Sequence, residues 1–126
     1  MAADLSNLAR LHEAKDQYAE AEALYERALW IDEKALGPDH PHVAADLNNL
    51  AGSHSAQGKY AEAESLLKGA LAILEMAVGS QHPHVAINLE NYAALLRRTG
   101  RTDEAKRKEA RAMEIRAMHP QDYPVQ

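Results

Sequence analysis

Apolar residues recur along this chain at steps of three and four, the spacing that places side chains on one face of an α-helix. In the first stretch they include Leu5, Leu8 and Ala9, and a wider apolar stripe follows between Tyr18 and Ile31. The spacing therefore predicts pairs of antiparallel helices. Continued to the end of the chain, it predicts six helices, at about 3–14, 18–36, 41–57, 60–78, 83–98 and 102–117.

The chain also repeats itself at an offset of 42 residues. The segment at 3–9 is restated at 45–51, the segment at 18–22 is restated at 60–64, and a third copy begins at Ile87. Three units of this length account for all 126 residues. We expect a single domain at 1–118, with repeats at about 3–44, 45–86 and 87–118, followed by a C-terminal tail at 119–126.

Glycine and proline mark the predicted helix ends. Gly58 and Gly100 follow the first helix of their units, where a left-handed residue ends a helix at little cost, and Asp16 holds the equivalent place in the first unit. Pro41 and Pro83 suit the first turn of the next helix, where the missing N–H would have had no partner. Each unit is therefore predicted to be a helix, a tight turn and a second helix.

The order of small and large residues within a unit resembles the tetratricopeptide repeat. The residues that carry this resemblance are Leu47, Leu50, Ala51, Gly58, Tyr60, Ala63, Leu67 and Ala70. The longer unit of 42 residues, in place of about 34, is similar to the repeats of kinesin light chains and their bacterial relatives. The resemblance implies an all-α fold, a right-handed α-α superhelix of three helix-turn-helix repeats with six helices.

The amino-acid composition excludes several classes of function. The chain has no cysteine, which excludes disulfides, thiolate nucleophiles and cysteine-ligated metal sites. The N-terminus does not read as a signal peptide, and no apolar run is long enough for a membrane helix. A net charge of −5 argues against nucleic-acid binding. We expect a cytoplasmic protein with no membrane or nucleic-acid partner.

Catalytic motifs are also missing from the sequence. No serine lies in a Gly-x-Ser-x-Gly elbow, and no glycine-rich phosphate loop is present. Glu20, Glu22, Glu62 and Glu64 begin the second helices, where they complement the positive end of the helix dipole. We therefore expect a protein that is not an enzyme and that binds no cofactor.

Two His-x-His pairs suggest a metal-binding alternative. His40 and His42 recur as His82 and His84, and imidazole pairs near a third ligand hold zinc or nickel in other proteins. Both pairs flank the proline that starts a helix, which favours a structural role. We therefore predict no metal site and keep metal binding through these loops as the weakest hypothesis.

The resemblance places the first helix of each repeat along a concave groove. Stacking then puts Asn7, Asn49 and Asn91 in one ladder, where their amides can bond to an extended backbone. The predicted peptide-binding groove comprises Ser6, Asn7, Arg10, Asn48, Asn49, Ser55, Asn91 and Arg97. We expect a scaffold that binds a peptide or protein segment there. A second interpretation is that the asparagines bond to adjacent helices and only set the stacking of the repeats.

The two ends of the chain differ from its middle. The third repeat has Lys108 and Glu109 where the second has Leu66 and Leu67, as a polar capping helix would. The first helix has no such cap. We expect either a fragment of a longer array or a first helix covered by another chain, and self-assembly into homo-oligomers through the terminal repeats is the alternative function.

Charge is divided unevenly along the chain. Residues 1–96 hold six basic and 14 acidic side chains, whereas residues 97–126 hold eight basic and five acidic ones. The basic end, from Arg97 to Arg116, is either a docking site or a solvated cap. The single tryptophan, Trp30, is expected to make an inter-repeat contact, with an exposed anchor for an oligomer as the alternative.

Overall fold

The computed structural model describes residues 1–120 and shows six helices and no strand among them. The helices are α1 (Ala2–Ala14), α2 (Tyr18–Leu36), α3 (Pro41–Ala56), α4 (Tyr60–Ala77), α5 (Pro83–Arg98) and α6 (Thr102–Met118). Every predicted helix is confirmed, and no end differs by more than one residue. Residues 121–126 of the predicted tail lie outside the described residues.

The turn inside each helix pair uses a left-handed residue, as predicted. The backbone φ is +59° at Asp16, +79° at Gly58 and +81° at Gly100. Aspartate tolerates this region better than most residues because its short polar side chain bonds locally. Here the Asp16 carboxylate accepts a hydrogen bond from the Tyr18 hydroxyl at 3.1 Å. The three turns thus share one geometry in spite of their different residues.

The start of α3 and the start of α5 share a second local device. His40 is the N-cap of α3, and its Nδ1 accepts a hydrogen bond from the His42 backbone N–H at 3.0 Å. His82 caps α5 in the same way at 3.1 Å. A proline follows each cap at the first helical position, where it has no N–H to leave unpaired. These histidines therefore have the structural role that the sequence favoured.

The helices stack in chain order, and each contacts its sequence neighbours. Alanine is buried at equivalent positions of all three repeats. Nine such alanines are at most 1% exposed: Ala9, Ala51 and Ala93, Ala21, Ala63 and Ala105, and Ala28, Ala70 and Ala112. Larger buried side chains complete the core, among them Tyr25, Leu67, Leu74, Leu89 and Tyr92. The low aromatic content therefore reflects a core made of closely packed helices.

Two glutamates tie successive repeats together. Glu22 of α2 accepts hydrogen bonds from Gln57 at 2.8 Å and from Lys59 at 3.4 Å, and lies 3.0 Å from Nδ1 of His54. Burial alone would raise the pKa of Glu22, but the Gln57 hydrogen bond and the His54 and Lys59 charges lower it below its usual range. Glu22 therefore links α2 to the next repeat, in addition to its expected role at the positive end of the helix dipole.

One repeat further along, Glu64 of α4 has the same function. It accepts hydrogen bonds from Arg101 at 2.8 Å and from the Tyr92 hydroxyl at 2.7 Å. The pKa of Glu64 is lowered, first by the Arg101 hydrogen bond and then by that of Tyr92. Lys59 and Arg101 occupy equivalent positions, so each junction pairs a glutamate with a basic residue of the following turn.

Trp30 does not make the expected inter-repeat contact. Its side chain is 61% exposed on α2, and the Lys34 ammonium lies 5.8 Å from the centre of its ring. The prediction was wrong because the helix buries Ala28 against its neighbours and leaves Trp30 outside that face. Whether the exposed ring anchors an oligomer stays a prediction.

Candidate functional site

A cavity of about 420 Å³ lies along the first helices of the three repeats. Its walls come from α1, α3 and α5, while Tyr25 of α2 and Leu67 of α4 contribute from the second helices. Among the predicted groove residues, those that line this cavity are Arg10, Asn48, Asn49, Ser55 and Asn91. One concave surface therefore runs across all three repeats.

A second cavity of about 390 Å³ lies between α1 and α3. Ser6 and Asn7 line it, although the Ser6 side chain is largely buried. Arg10 and Asn49 line both cavities, so the two adjoin. The three asparagines of the predicted ladder thus lie along one track that passes from the first cavity into the second.

Asn48 bonds to an adjacent helix, as the second interpretation of these asparagines expected. The buried Asn88 donates one hydrogen bond to Oδ1 of Asn48 at 2.8 Å and another to the Leu67 carbonyl at 3.1 Å. The pair links α3, α4 and α5 inside the stack. Oδ1 of Asn48 accepts the hydrogen bond from Asn88, so the amide nitrogen of Asn48 points away from Asn88.

Arg97 is the predicted groove residue that the structure places elsewhere. Its guanidinium forms two hydrogen bonds with Glu109 of α6, at 2.9 Å from Nε and 2.5 Å from Nη2. Arg98 lines the cavity instead, with Nη1 3.5 Å from the Ser55 carbonyl. Glu109 holds the position that Tyr25 and Leu67 hold in the earlier repeats, and its charge draws Arg97 towards α6.

Tyr25 is a lining residue that sequence reasoning did not identify. Its hydroxyl donates a 2.5 Å hydrogen bond to Oε1 of Glu13, which also lines the cavity. Burial, and then this hydrogen bond and the charge of Glu13, raise the pKa of Tyr25, so the phenol stays protonated. Glu13 and Tyr25 are 12 residues apart in the sequence, and the equivalent residues two repeats later are Arg97 and Glu109. This spacing was the sequence feature that could have indicated the contact.

The chemistry of the surface is that of a polar groove. Arg10 and Arg98 line it, and Glu13 is the acidic residue that lines the same cavity. Asn48, Asn49 and Asn91 line it with them and supply amide groups. Such a set can donate and accept hydrogen bonds along an extended peptide while the arginines attract carboxylates.

The described residues contain no group of three or more His, Asp or Glu side chains placed to hold a metal ion. In each His-x-His pair the two rings meet edge to face, with centroids 4.8 Å apart for His40 and His42 and 4.6 Å apart for His82 and His84. Within residues 1–120, no helix is long and apolar enough to cross a membrane.

Comparison with known families and structures agrees with the repeat. A family described as tetratricopeptide repeat matches residues 1–76 and 47–118. The chain is 29% identical to a solved structure of TPR-like repeats described as those of a kinesin light chain of Podosopora anserina, with a TM-score of 0.83. It is similarly related to the Q17M form of those repeats, at 29% identity and a TM-score of 0.82. BtubC (BKLC) from P. vanneervenii is 28% identical, with a TM-score of 0.82.

These matches cover 91%, 91% and 92% of this chain but only 55%, 54% and 46% of the three structures. The chain thus spans about half the length of the solved chains that it matches. No curated protein shows a significant match to it.

Proposed function

This chain belongs to the tetratricopeptide repeat family, and we propose that it is a non-catalytic scaffold that binds an extended peptide or protein segment in its concave groove. Tetratricopeptide repeats are in general protein-interaction scaffolds, and their kinesin light chain-like members are typically without catalytic activity. We further propose that residues 1–118 act as one domain and that the protein is cytoplasmic.

The continuity of the groove carries this proposal. The first helix of every repeat contributes to the larger cavity, which adjoins the second one through Arg10 and Asn49. An extended segment spans about 3.3 Å per residue, so a track across three helices suits several residues of ligand. Asn49 is half-buried and Asn91 is exposed, so both amides border the groove.

The experiment is a peptide selection followed by two substitutions. A random peptide library is selected against the intact chain, and the affinity of the best peptide is measured by calorimetry. Asn49→Ala and Asn91→Ala each remove one side-chain amide from the groove, and we expect each to weaken binding by about 10-fold. Glu62→Ala, at an exposed site on α4, is the control and should leave the affinity unchanged.

Circular dichroism melting curves verify that the variants fold. Groove binding is contradicted if the folded Asn49→Ala and Asn91→Ala variants bind the selected peptide as tightly as the unmodified chain. Ladder residues would then serve only the stacking of the repeats, as Asn48 and Asn88 do.

The alternative functions have less support. Self-assembly through the basic end would draw on eight basic residues, and four of them, Arg97, Arg101, Arg111 and Arg116, already pair with carboxylates of this chain. Metal binding through the His-x-His loops competes with the capping of α3 and α5, because His40 and His82 use Nδ1 for the backbone. Peptide binding in the groove is therefore the function that we propose.

A further inference from the structure

Two acidic side chains meet in the second cavity, the one between α1 and α3. Asp32 of α2 and Asp46 of α3 both line it, and their carboxyl groups lie within hydrogen-bond reach of each other. Two carboxylates this close repel, so in the free chain they share one proton. Asp46 is only 6% exposed, and its Oδ2 is buried without a hydrogen-bond partner among the described residues. The cavity therefore contains a buried carboxyl oxygen that lacks a donor.

The equivalent place one repeat further along is filled by the chain itself. Leu74 stands there in place of Asp32 and is 2% exposed, and Asn88 stands in place of Asp46. The Asn88 amide nitrogen donates a hydrogen bond to Oδ1 of Asn48 at 2.8 Å. An apolar side chain and a donor thus occupy the place where the first junction has two acceptors. Both acids lie inside α2 and α3, so their pairing does not depend on the residue with which the chain begins.

The charges around the pair are mostly negative. Glu33 of α2 acts on Asp46 with a further negative charge, and the His42 ring of α3 lines the same cavity. Arg10 of α1 is the basic residue of the lining, and its guanidinium donates to Oδ1 of Asn7 at 3.2 Å. Residues 1–96 hold six basic and 14 acidic side chains. The field of this part of the chain therefore attracts a cationic group towards the pair.

The chemistry of the cavity favours a basic side chain over a metal ion. Within residues 1–120 no group of three or more His, Asp or Glu side chains is placed to hold a metal, and a cavity of about 390 Å³ is much larger than one ion. An ammonium or guanidinium group brings several N–H donors, and its hydrogen bonds to carboxylates are roughly twice as strong as neutral ones. Asn49 lines the same cavity and offers an amide oxygen to a further N–H.

We propose that the second cavity binds the lysine or arginine side chain of the segment held in the groove, whose N–H groups donate to Asp32 and Asp46 in place of the shared proton, which leaves to the solvent. This inference rests on the proposed function, because the segment reaches the pair from the first cavity past Arg10 and Asn49, which line both cavities. A basic residue bound at this point fixes the register of the segment along the groove.

The first test uses an isolated basic side chain as the probe. Nα-acetyl-arginine methylamide and its lysine analogue are titrated into the intact ¹⁵N-labelled chain, and amide shifts are followed by NMR. We expect saturable shifts around Asp32, Asp46 and Asn49, with a Kd on the order of 1–10 mM for the tighter probe. The citrulline analogue has nearly the shape of the arginine probe without its charge, and it should bind at least about 10-fold more weakly.

Two substitutions of aspartate by asparagine provide the matched comparison. Asp46→Asn should weaken binding of the arginine probe by at least about 10-fold, because a buried carboxylate partner is lost. Asp39→Asn removes an exposed carboxylate from the loop after α2 and should leave the affinity unchanged. Melting temperatures verify that both variants fold. If Asp46 had only a structural role, its substitution would change the melting temperature and leave the affinity for the probe as it was.

The second test places the side chain in a peptide. Peptides selected against the intact chain should contain a lysine or arginine whose replacement by norleucine or citrulline weakens binding by at least about 10-fold. The same replacement should have a much smaller effect on binding to the Asp46→Asn chain, because the two groups are coupled. Asn91→Ala, in the first cavity, should weaken binding of the peptide but not of the arginine probe.

The site and the groove can fail separately. If Asn91→Ala leaves the affinity of the selected peptide unchanged while the arginine probe still saturates around Asp46, the groove assignment is wrong and the cation site stands. The cation site is wrong if the arginine probe gives no shifts there, if the citrulline probe binds equally well, or if Asp46→Asn binds the arginine probe as tightly as the unmodified chain. It is also wrong if the selected peptides bind without a basic residue, or if CaCl₂ gives the same shifts at a lower concentration than either cationic probe.

Discussion

At the scale of single residues, one buried position differs between repeats in a way that affects stability. Asn88 of α5 is buried, and its amide nitrogen donates to Asn48 and to the Leu67 carbonyl. The equivalent residue of α3 is Asp46, which is 6% exposed and has no N–H to donate. Its Oδ2 is buried without a hydrogen-bond partner among the described residues. A carboxyl group therefore occupies a place that suits an amide.

The surroundings of Asp46 oppose its ionisation. The pKa of Asp46 is raised to about 8, first by burial, then by the hydrogen bond and charge of Asp32, and then by the charge of Glu33. His42 of α3 lines the same cavity as Asp32 and Asp46. Since the unfolded chain releases this proton near pH 4, the contribution of Asp46 to stability falls as the pH rises from about 4 to about 8.

We predict that Asp46→Asn stabilises the protein in a pH-dependent way. The free energy of unfolding should rise by about 1–3 kcal/mol at pH 8, because the amide removes a buried ionisable group and can donate to the neighbouring backbone. The gain should shrink towards about pH 3, below the pKa of an unfolded aspartate, where Asp46 is protonated in both states. Urea denaturation at the two pH values measures it. Asp39→Asn, at an exposed loop site, is the control, and an equal gain from it would contradict the prediction.

At the scale of elements, the turn between the helices of a pair sets the geometry of each repeat. Gly58 has a φ of +79° and nothing within 4 Å of the site of an added Cβ, so only the backbone conformation disfavours a side chain there. Gly69, within α4, also has an open Cβ site but lies in a regular helix. Alanine at these two glycines therefore separates turn conformation from helix propensity.

We predict opposite effects of alanine at the two sites. Gly58→Ala should lower the free energy of unfolding by about 1–2 kcal/mol, because an L-residue in the left-handed region is strained. Gly69→Ala should raise it by up to about 1 kcal/mol, because alanine loses less backbone entropy in a helix. Thermal and urea denaturation of both variants measure the changes, and destabilisation by Gly69→Ala would show that its Cβ site is less open than in this structure.

At the scale of the whole molecule, the chain is a linear stack held by repeated junctions. In such a stack each unit contacts only its neighbours, so stability depends on the interfaces between repeats. The Glu22 and Glu64 junctions combine a partly buried carboxylate with a basic residue of the next turn. Because the pKa of each carboxyl is lowered on folding, its contribution is present above pH 4.5 and is lost as the pH falls.

We predict that Glu64→Gln weakens the whole stack at neutral pH. The free energy of unfolding at pH 7 should fall by about 1–3 kcal/mol, because the charged hydrogen bonds with Arg101 and Tyr92 are lost. The difference from the unmodified chain should diminish as the pH falls below 4.5 towards about pH 3, because the carboxyl group of the unfolded chain then takes up a proton and the charged state becomes less favoured on folding. Urea denaturation at both pH values measures it, with Glu62→Gln on the exposed side of α4 as the control. A loss that persists unchanged at pH 3 would contradict the assigned role of the charge.

Local chemistry in the sequence was sufficient for the helices and their turns. Apolar spacing located all six helices, and glycine, aspartate and proline marked their ends, because these depend on backbone preferences and on one buried face per helix. The repeat then placed the first helices side by side, and Asn48, Asn49, Ser55 and Asn91 do line one cavity. Periodicity carries this information because equivalent residues of stacked repeats occupy equivalent places.

Pairings between helices needed the three-dimensional structure. Arg97 leaves the groove because Glu109 on another helix attracts it, Glu22 and Glu64 bridge repeats, and Asn88 holds Asn48. Trp30 is exposed although Ala28, two residues before it on α2, is buried. Each outcome depends on which long side chain meets which partner across a helix interface. Successive residues of a helix are rotated by about 100°, so adjacent positions face different partners. The sequence specified the repeat and its stacking, and tertiary packing selected the side chains that face the groove.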